Sequence, residues 1–275
     1  MMPVRIGFSS HCFPKDMDMG KILDFCEEYK FSAMELNVNT KNFDLQTVGA
    51  SLLARIKGMV DSGEVCFTLH PSERVNFSDA LEANRRNSIE KVEAAIRLAS
   101  RLGIKTVSVH PGSVNGDGAP ETFQEALSQT ISGIRRCALA AKQLGVKVNV
   151  ENLCHVKGTV APDIFSFFRM CEEIGLSLIG MTLDTGHAHL VDGLEPTLSV
   201  IGSYVEHIHI DDSSGKKSDH LGLGKGEIDF YAMADYLRTY DGIINIELKI
   251  YGDDYIGPIL RSREYVLRLL KRGKK

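Results

Sequence analysis

The stretch Gly180–His187, GMTLDTGH, and the stretch Val205–Asp212, VEHIHIDD, have the same layout. A short apolar run ends abruptly in carboxylates and imidazoles. A strand buried on both faces reads as a near-continuous apolar run, and polar groups collect only where it emerges. The same layout recurs outward in both directions. CFTLH ends at His70, TVSVH at His110, VKVNVEN at Glu151 and Asn152, and IINIEL carries Glu247 near its end. Two earlier runs, Val4–Phe8 and Ala33–Val38, complete a set with Val65–His70, Thr106–His110, Val146–Glu151, Gly180–Asp184, Val205–Ile210 and Ile243–Leu248. Eight strands alternate with helical patterns such as Ser88–Arg101, whose Ile89, Val92, Ala95, Ile96 and Ala99 share one face.

This alternation predicts an α/β fold, a (β/α)8 TIM barrel spanning residues 1–275 as one domain. A doubly wound open sheet is the runner-up, because alternation alone does not show closure; no G-x-G-x-x-G follows the first strand. Asp18 and Asp163 read as helix caps, and Gly103, Gly145 and Gly175 as helix stops.

Composition narrows the function classes. The chain has 275 residues, 32 Lys+Arg against 36 Asp+Glu, and a formal net charge of −4, which disfavours a dedicated nucleic-acid binder. Cys12, Cys26, Cys66, Cys137, Cys154 and Cys171 form no C-x-x-C pair, so no ribbon-type zinc site is expected; Cys66 and Cys137 read as small core residues. Nothing reads as a secretory leader or a membrane span, and a cytoplasmic location is the expectation.

In a barrel, the C-terminal strand ends converge on one mouth, where active sites are built. His70, His110, Glu151, Asp184, His187, His209 and Glu247 would meet there, with His11 and Glu35 as further lining residues. Several carboxylates in one low-dielectric site repel each other unless a cation compensates them. Imidazole and carboxylate ligands without a thiolate suit a divalent ion such as Zn2+ or Mn2+. His209 lies nearer its strand end than His207, which reads as a supporting group. His155 and His189 read as loop or helix-start residues. The Gly-rich segment SDHLGLGKGEID after strand seven adds His220. With Lys216, Lys217 and Lys225, it lies where barrels often bind phosphate.

The motifs HPSERVNF, SVHPGS, VENL, LDTGHAH, HIHIDDS, DHLGLGKGEID and IELK, in that order, make the chain resemble the xylose isomerase-like TIM-barrel superfamily nearly end to end. That superfamily holds sugar isomerases and epimerases and also endonuclease IV, a family 2 apurinic/apyrimidinic endonuclease. The resemblance implies one metal held by Glu151, Asp184, His209 and Glu247. Endonuclease IV adds ligands that match His70, His110, His187 and His220, for two or three metals. Two departures separate this chain from endonuclease IV. Ser218 stands where it has an Asp ligand, and Glu73 and Arg74 stand where it has a DNA-inserting aromatic–aliphatic pair.

The leading expectation is therefore a metal-dependent isomerase or epimerase of a sugar, sugar phosphate or polyol, working by ene-diolate proton transfer or, as a second route, by hydride shift. Glu151 and Glu247 would act as base and acid. His187, with His70, His110 and His220, would contact substrate. The alternative is a metal-dependent phosphodiesterase cleaving abasic DNA. A non-catalytic carbohydrate-binding barrel is the third reading. The sequence leaves oligomeric state unspecified.

Overall fold

The computed structural model describes residues 4–71, 75–114, 120–154 and 158–272. Eight parallel strands run β1 (Arg5–Ser9), β2 (Ala33–Val38), β3 (Cys66–Pro71), β4 (Thr106–Val109), β5 (Lys147–Glu151), β6 (Ile179–Asp184), β7 (Val205–Ile210) and β8 (Ile243–Ile246). They pair in sequence order into a closed barrel. Closure is made by β8 against β1, from Arg5 opposite Ile243 to Phe8 opposite Ile246. That pairing excludes the doubly wound sheet. The helices are α1 (Met19–Glu28), α2 (Ala50–Ser62), α3 (Glu82–Leu102), α4 (Pro120–Gln143), α5 (Ile164–Ile174), α6 (Thr185–Val191), α7 (Leu194–Ile201), α8 (Ala234–Leu237) and α9 (Ile256–Arg272). Among the described residues no helix is long and apolar enough to cross a membrane.

Local chemistry sets the boundaries. Asp18 caps α1 by accepting from the Lys21 N–H, and Asp163 caps α5 through the N–H groups of Phe165 and Ser166. Gly103 ends α3 at φ 83°, a conformation that glycine adopts without steric cost. Helix α3 begins at Glu82, six residues before the apolar stripe signals it. Its first turns, Glu82–Asn87, are largely exposed and so lack a buried face to read.

The core lies between strands and helices. Phe8 of β1 packs edge-on against Phe25 of α1 and Phe31, with ring centroids 5.2 and 4.8 Å away. Cys137 is buried as expected, but Cys66 is only half-buried. It is the first residue of β3, at the barrel's far end from the mouth.

Candidate metal centre

Alternation along each strand sends every second residue into the barrel. At the mouth this brings Glu151 from β5, Asp184 from β6, His209 from β7 and Glu247 just past β8 together. One ligand atom from each lies within 4.8 Å of the others, and all four side chains are buried. His209 Nδ1 is the hub, 3.2 Å from Glu151 Oε2 and 3.1 Å from Glu247 Oε2. Asp184 Oδ1 accepts the His187 N–H at 2.6 Å, as the cap of α6, while its Oδ2 is buried without a hydrogen-bond partner.

The other expected histidines ring this cluster. His70 Nε2 and His110 Nε2 approach Glu151 Oε2 at 3.2 and 3.5 Å. His187 Nδ1 donates to the Asn152 carbonyl at 3.1 Å. Its Nε2 can then accept the Ser218 hydroxyl, 3.3 Å away. Ser218 Oγ also lies 2.8 Å from His220 Nε2, and His220 Nδ1 is 3.1 Å from Asp211 Oδ2. Asp184, His187 and His220 form a further group with cation-binding spacing. His220 holds φ 42°, unusual for a residue with a side chain. An antiparallel bridge between Asp212 and Leu221 fixes the loop there.

Some expectations land elsewhere. Glu35 does not line the mouth. It pairs in register with Thr68, whereas Asn37, two residues on, pairs with His70. Glu35 therefore sits one layer down, fully buried, and Asn37 takes the mouth position, accepting the His11 N–H at 3.0 Å. His189 sits half-buried in the last turn of α6. Lys216, Lys217 and Lys225 are exposed on the loop. Glu73, Arg74 and His155 lie outside the described residues. The loop's amides do not present themselves as a phosphate cradle, because Asp212 takes them. Its carboxylate accepts the N–H groups of Ser213, Gly224, Gly226 and Ile228 at 2.8–3.1 Å. Gly226 is required there, since a Cβ would stand 2.4 Å from Asp212 Oδ1. Sequence reading missed Lys249, whose Nζ donates to the Ser218 carbonyl at 3.1 Å. Its spacing of two from Glu247 was the available signal.

Electrostatics agree with a cation site. Burial works to raise the Glu151 and Glu247 carboxyls, yet the His209 imidazole beside both holds them below the usual carboxylate range. Burial likewise opposes charge on His209, but Glu35, Glu151 and Glu247 push its proton affinity well up. Burial and the neighbouring Asp211 raise Asp184. Burial holds His187 neutral, down to about 3. In the protein alone the His209 imidazolium thus answers both Glu151 and Glu247, and a divalent ion would displace its Nδ1 proton. Oxygen and nitrogen donors, no thiolate, and a buried carboxylate oxygen without a partner fit such an ion.

A closed parallel barrel with carboxylate and imidazole ligands gathered at its C-terminal mouth defines a class of barrels suited to divalent-metal chemistry. A family profile described as xylose isomerase-like TIM barrel matches residues 23–270, and the chain belongs to that family. An uncharacterized protein of Methanocaldococcus jannaschii is 26% identical over 263 residues, covering 92% of this chain and 86% of the relative. A probable endonuclease 4 of Campylobacter concisus is 27% identical over 209 residues, 69% of this chain and 66% of that protein. Among solved structures, a D-tagatose 3-epimerase-like protein superimposes with a TM-score of 0.83 at 25% identity, covering 98% of each chain.

Proposed function

We propose that this protein is a divalent-metal-dependent epimerase or isomerase of a sugar, sugar phosphate or related polyol. The observation that carries the reading is the convergence of Glu151, Asp184, His209 and Glu247 on one buried point. The end-to-end likeness to a D-tagatose 3-epimerase-like protein supports it. When bound, zinc or manganese supplies a Lewis acid beside the carbonyl and hydroxyl oxygens of the substrate.

The chain's own residues do the proton work. Glu151 and Glu247 both stay ionised beside His209. One takes the proton from the carbon next to the substrate carbonyl. The other, once it has taken up a proton from solvent, gives that proton to the opposite face, and the first releases its own to solvent, so configuration changes and composition does not. Neutral His187, with Nδ1 tied to Asn152, offers Nε2 as an acceptor for a substrate hydroxyl. His70, His110 and His220 complete the polar wall.

One observation favours a second reading. His70 and His110 both approach the same Glu151 oxygen, as ligands sharing a bridging carboxylate do. With Asp184, His187 and His220 as another group, two or three metals would serve water attack on a phosphodiester in abasic DNA. The endonuclease 4 relative points the same way. Ser218 and the net charge of −4 point against it.

The test is solvent deuterium incorporation into a panel of ketoses, aldoses and their phosphates by zinc- or manganese-loaded protein. Exchange with one tightly bound equivalent of metal is the expected result. Glu151→Gln should lower the rate by about 10²–10⁴-fold. Cleavage of an abasic duplex, two or three zinc equivalents and no exchange would replace this reading with the second.

A further inference from the structure

One layer beneath the mouth, Glu35 lies at the centre of a fully buried polar group. Its Oε2 accepts from His209 Nε2 at 3.1 Å and from Thr68 Oγ1 at 3.2 Å. The His207 ring stands edge-on to His209, with centroids 4.9 Å apart, and its Nε2 is 3.4 Å from the same oxygen. Yet His207 Nε2 also faces Asn245 Nδ2 at 3.1 Å. An amide nitrogen only donates, so His207 Nε2 must accept and has no proton for Glu35. Asn245 Nδ2 also reaches Thr68 Oγ1 at 3.4 Å. The hydroxyl receives that proton and passes its own to Glu35. The proton that remains for Glu35 comes from His209 Nε2. Glu35, Thr68, His207, His209 and Asn245 are all 0% exposed, so bulk water cannot substitute for any partner.

We propose that Glu35 is a positioning residue for metal binding. Its carboxylate keeps the Nε2 proton on His209, so the Nδ1 lone pair faces Glu151 and Glu247, and it places a buried negative charge beneath the cation. Thr68 and Asn245 hold that carboxylate in place. The inference rests on the reading of His209 as a ligand. A carboxylate behind a ligating imidazole fixes its tautomer and ring orientation, and losing such a partner lowers metal affinity by about 10–100-fold.

The experiment measures zinc and manganese affinity of the full-length chain by competition with a chromophoric chelator, for the unaltered protein, Glu35→Gln and Thr68→Val. Glu35→Gln should weaken binding by about 10–100-fold, and Thr68→Val by less, since it removes a donor and keeps the carboxylate. A second readout is the proton spectrum of the zinc-loaded chain. The unaltered protein should show a protected, far-downfield imidazole N–H, which Glu35→Gln moves upfield; a merely structural role leaves it in place. Equal affinity with an unmoved resonance in Glu35→Gln overturns the inference and leaves the metal centre standing. An unaltered chain that takes up no divalent ion overturns the metal reading itself. A second bound equivalent that disappears in His207→Gln makes Glu35, His207 and His209 a cation site, and also overturns the positioning role.

Discussion

Leu36, Leu69, Val107, Val150, Leu183 and Ile208 face the helices and are fully buried. One residue along the chain from each, Glu35, Thr68, Ser108, Asn149, Thr182 and His207 face into the barrel and are equally buried. The same strands thus build an apolar outside and a polar inside. Each fully buried aliphatic side chain contributes about 1.5–3 kcal/mol. A buried polar group is at best near neutral unless its hydrogen bonds are made. The outer face therefore carries the stability of the barrel, and the inner face fixes where the mouth residues stand.

The division can be broken at its strongest point first. Ile208→Ala on the outer face should cost about 2–5 kcal/mol of unfolding free energy in denaturant titration. It should leave metal stoichiometry unchanged although His207 and His209 flank it. Loss of metal in a still-folded variant would show that the two faces are not separable.

The next test is pH. His70, despite burial, is lifted from 6.5 to about 9 by Glu151 and Glu35, and His220, despite burial, to about 10 by Asp211. A folded-state value above the unfolded one gives stability that is full below pH 6.5 and lost as pH rises through 9 to 10. Burial pulls His187 and His207 the other way, to about 3 and about 4, so their stability is lost as pH falls below 6.5. The melting temperature of chelator-treated protein should therefore peak near pH 6.5 and fall on the alkaline side by on the order of 5 °C. Saturating zinc should flatten the alkaline slope, because a cation held by Glu151 and Asp184 offsets the negative charge that keeps His70 and His220 protonated. A flat profile in chelator would remove the inner face from the stability balance.

The smallest effect sharpens the comparison. Ser108 and Thr182 pair across the barrel at 3.0 Å. Replacing both, as Ser108→Ala with Thr182→Val, should change stability by within about 1 kcal/mol, while Thr182→Val alone should cost about 1–3 because it strands a buried hydroxyl. A double variant as costly as the single would show that the inner face contributes packing of its own.

The mouth was legible in the sequence because each of its residues interrupts or ends an apolar run. His70, Glu151, Asp184, His209 and Glu247 all stand at or beside strand ends, within a residue of where the runs place them. Of the layer beneath, the sequence picked out only His207, as a supporting group, and Glu35, one layer too high, although the rest has a signal of the same period. Thr68 precedes His70 by two, and so do Ser108 and His110, Asn149 and Glu151, Thr182 and Asp184, and Asn245 and Glu247. Single small polar residues inside apolar runs carry little weight one at a time. Their alignment on one face follows only once the strands have a side. Closure, the inward turn of Glu35 and the loop partners Gly224, Gly226 and Ile228 of Asp212 depend on contacts between segments 12 to more than 200 residues apart, which periodicity along one segment does not encode.

Asp211 and Asp212 are neighbours that face opposite ways, one toward His220 and Gly186, the other into its own loop. The loop between Ser213 and Ile228 is thereby a cassette, clipped to the barrel by one carboxylate gripping four amides, by the Asp212–Leu221 bridge and by Lys249 on the Ser218 carbonyl. A library that randomises 214–217 while keeping Asp212, Gly224 and Gly226 changes an exposed turn and leaves the clip closed, so its surface can be rewritten without disturbing Asp184, His209 or Glu247.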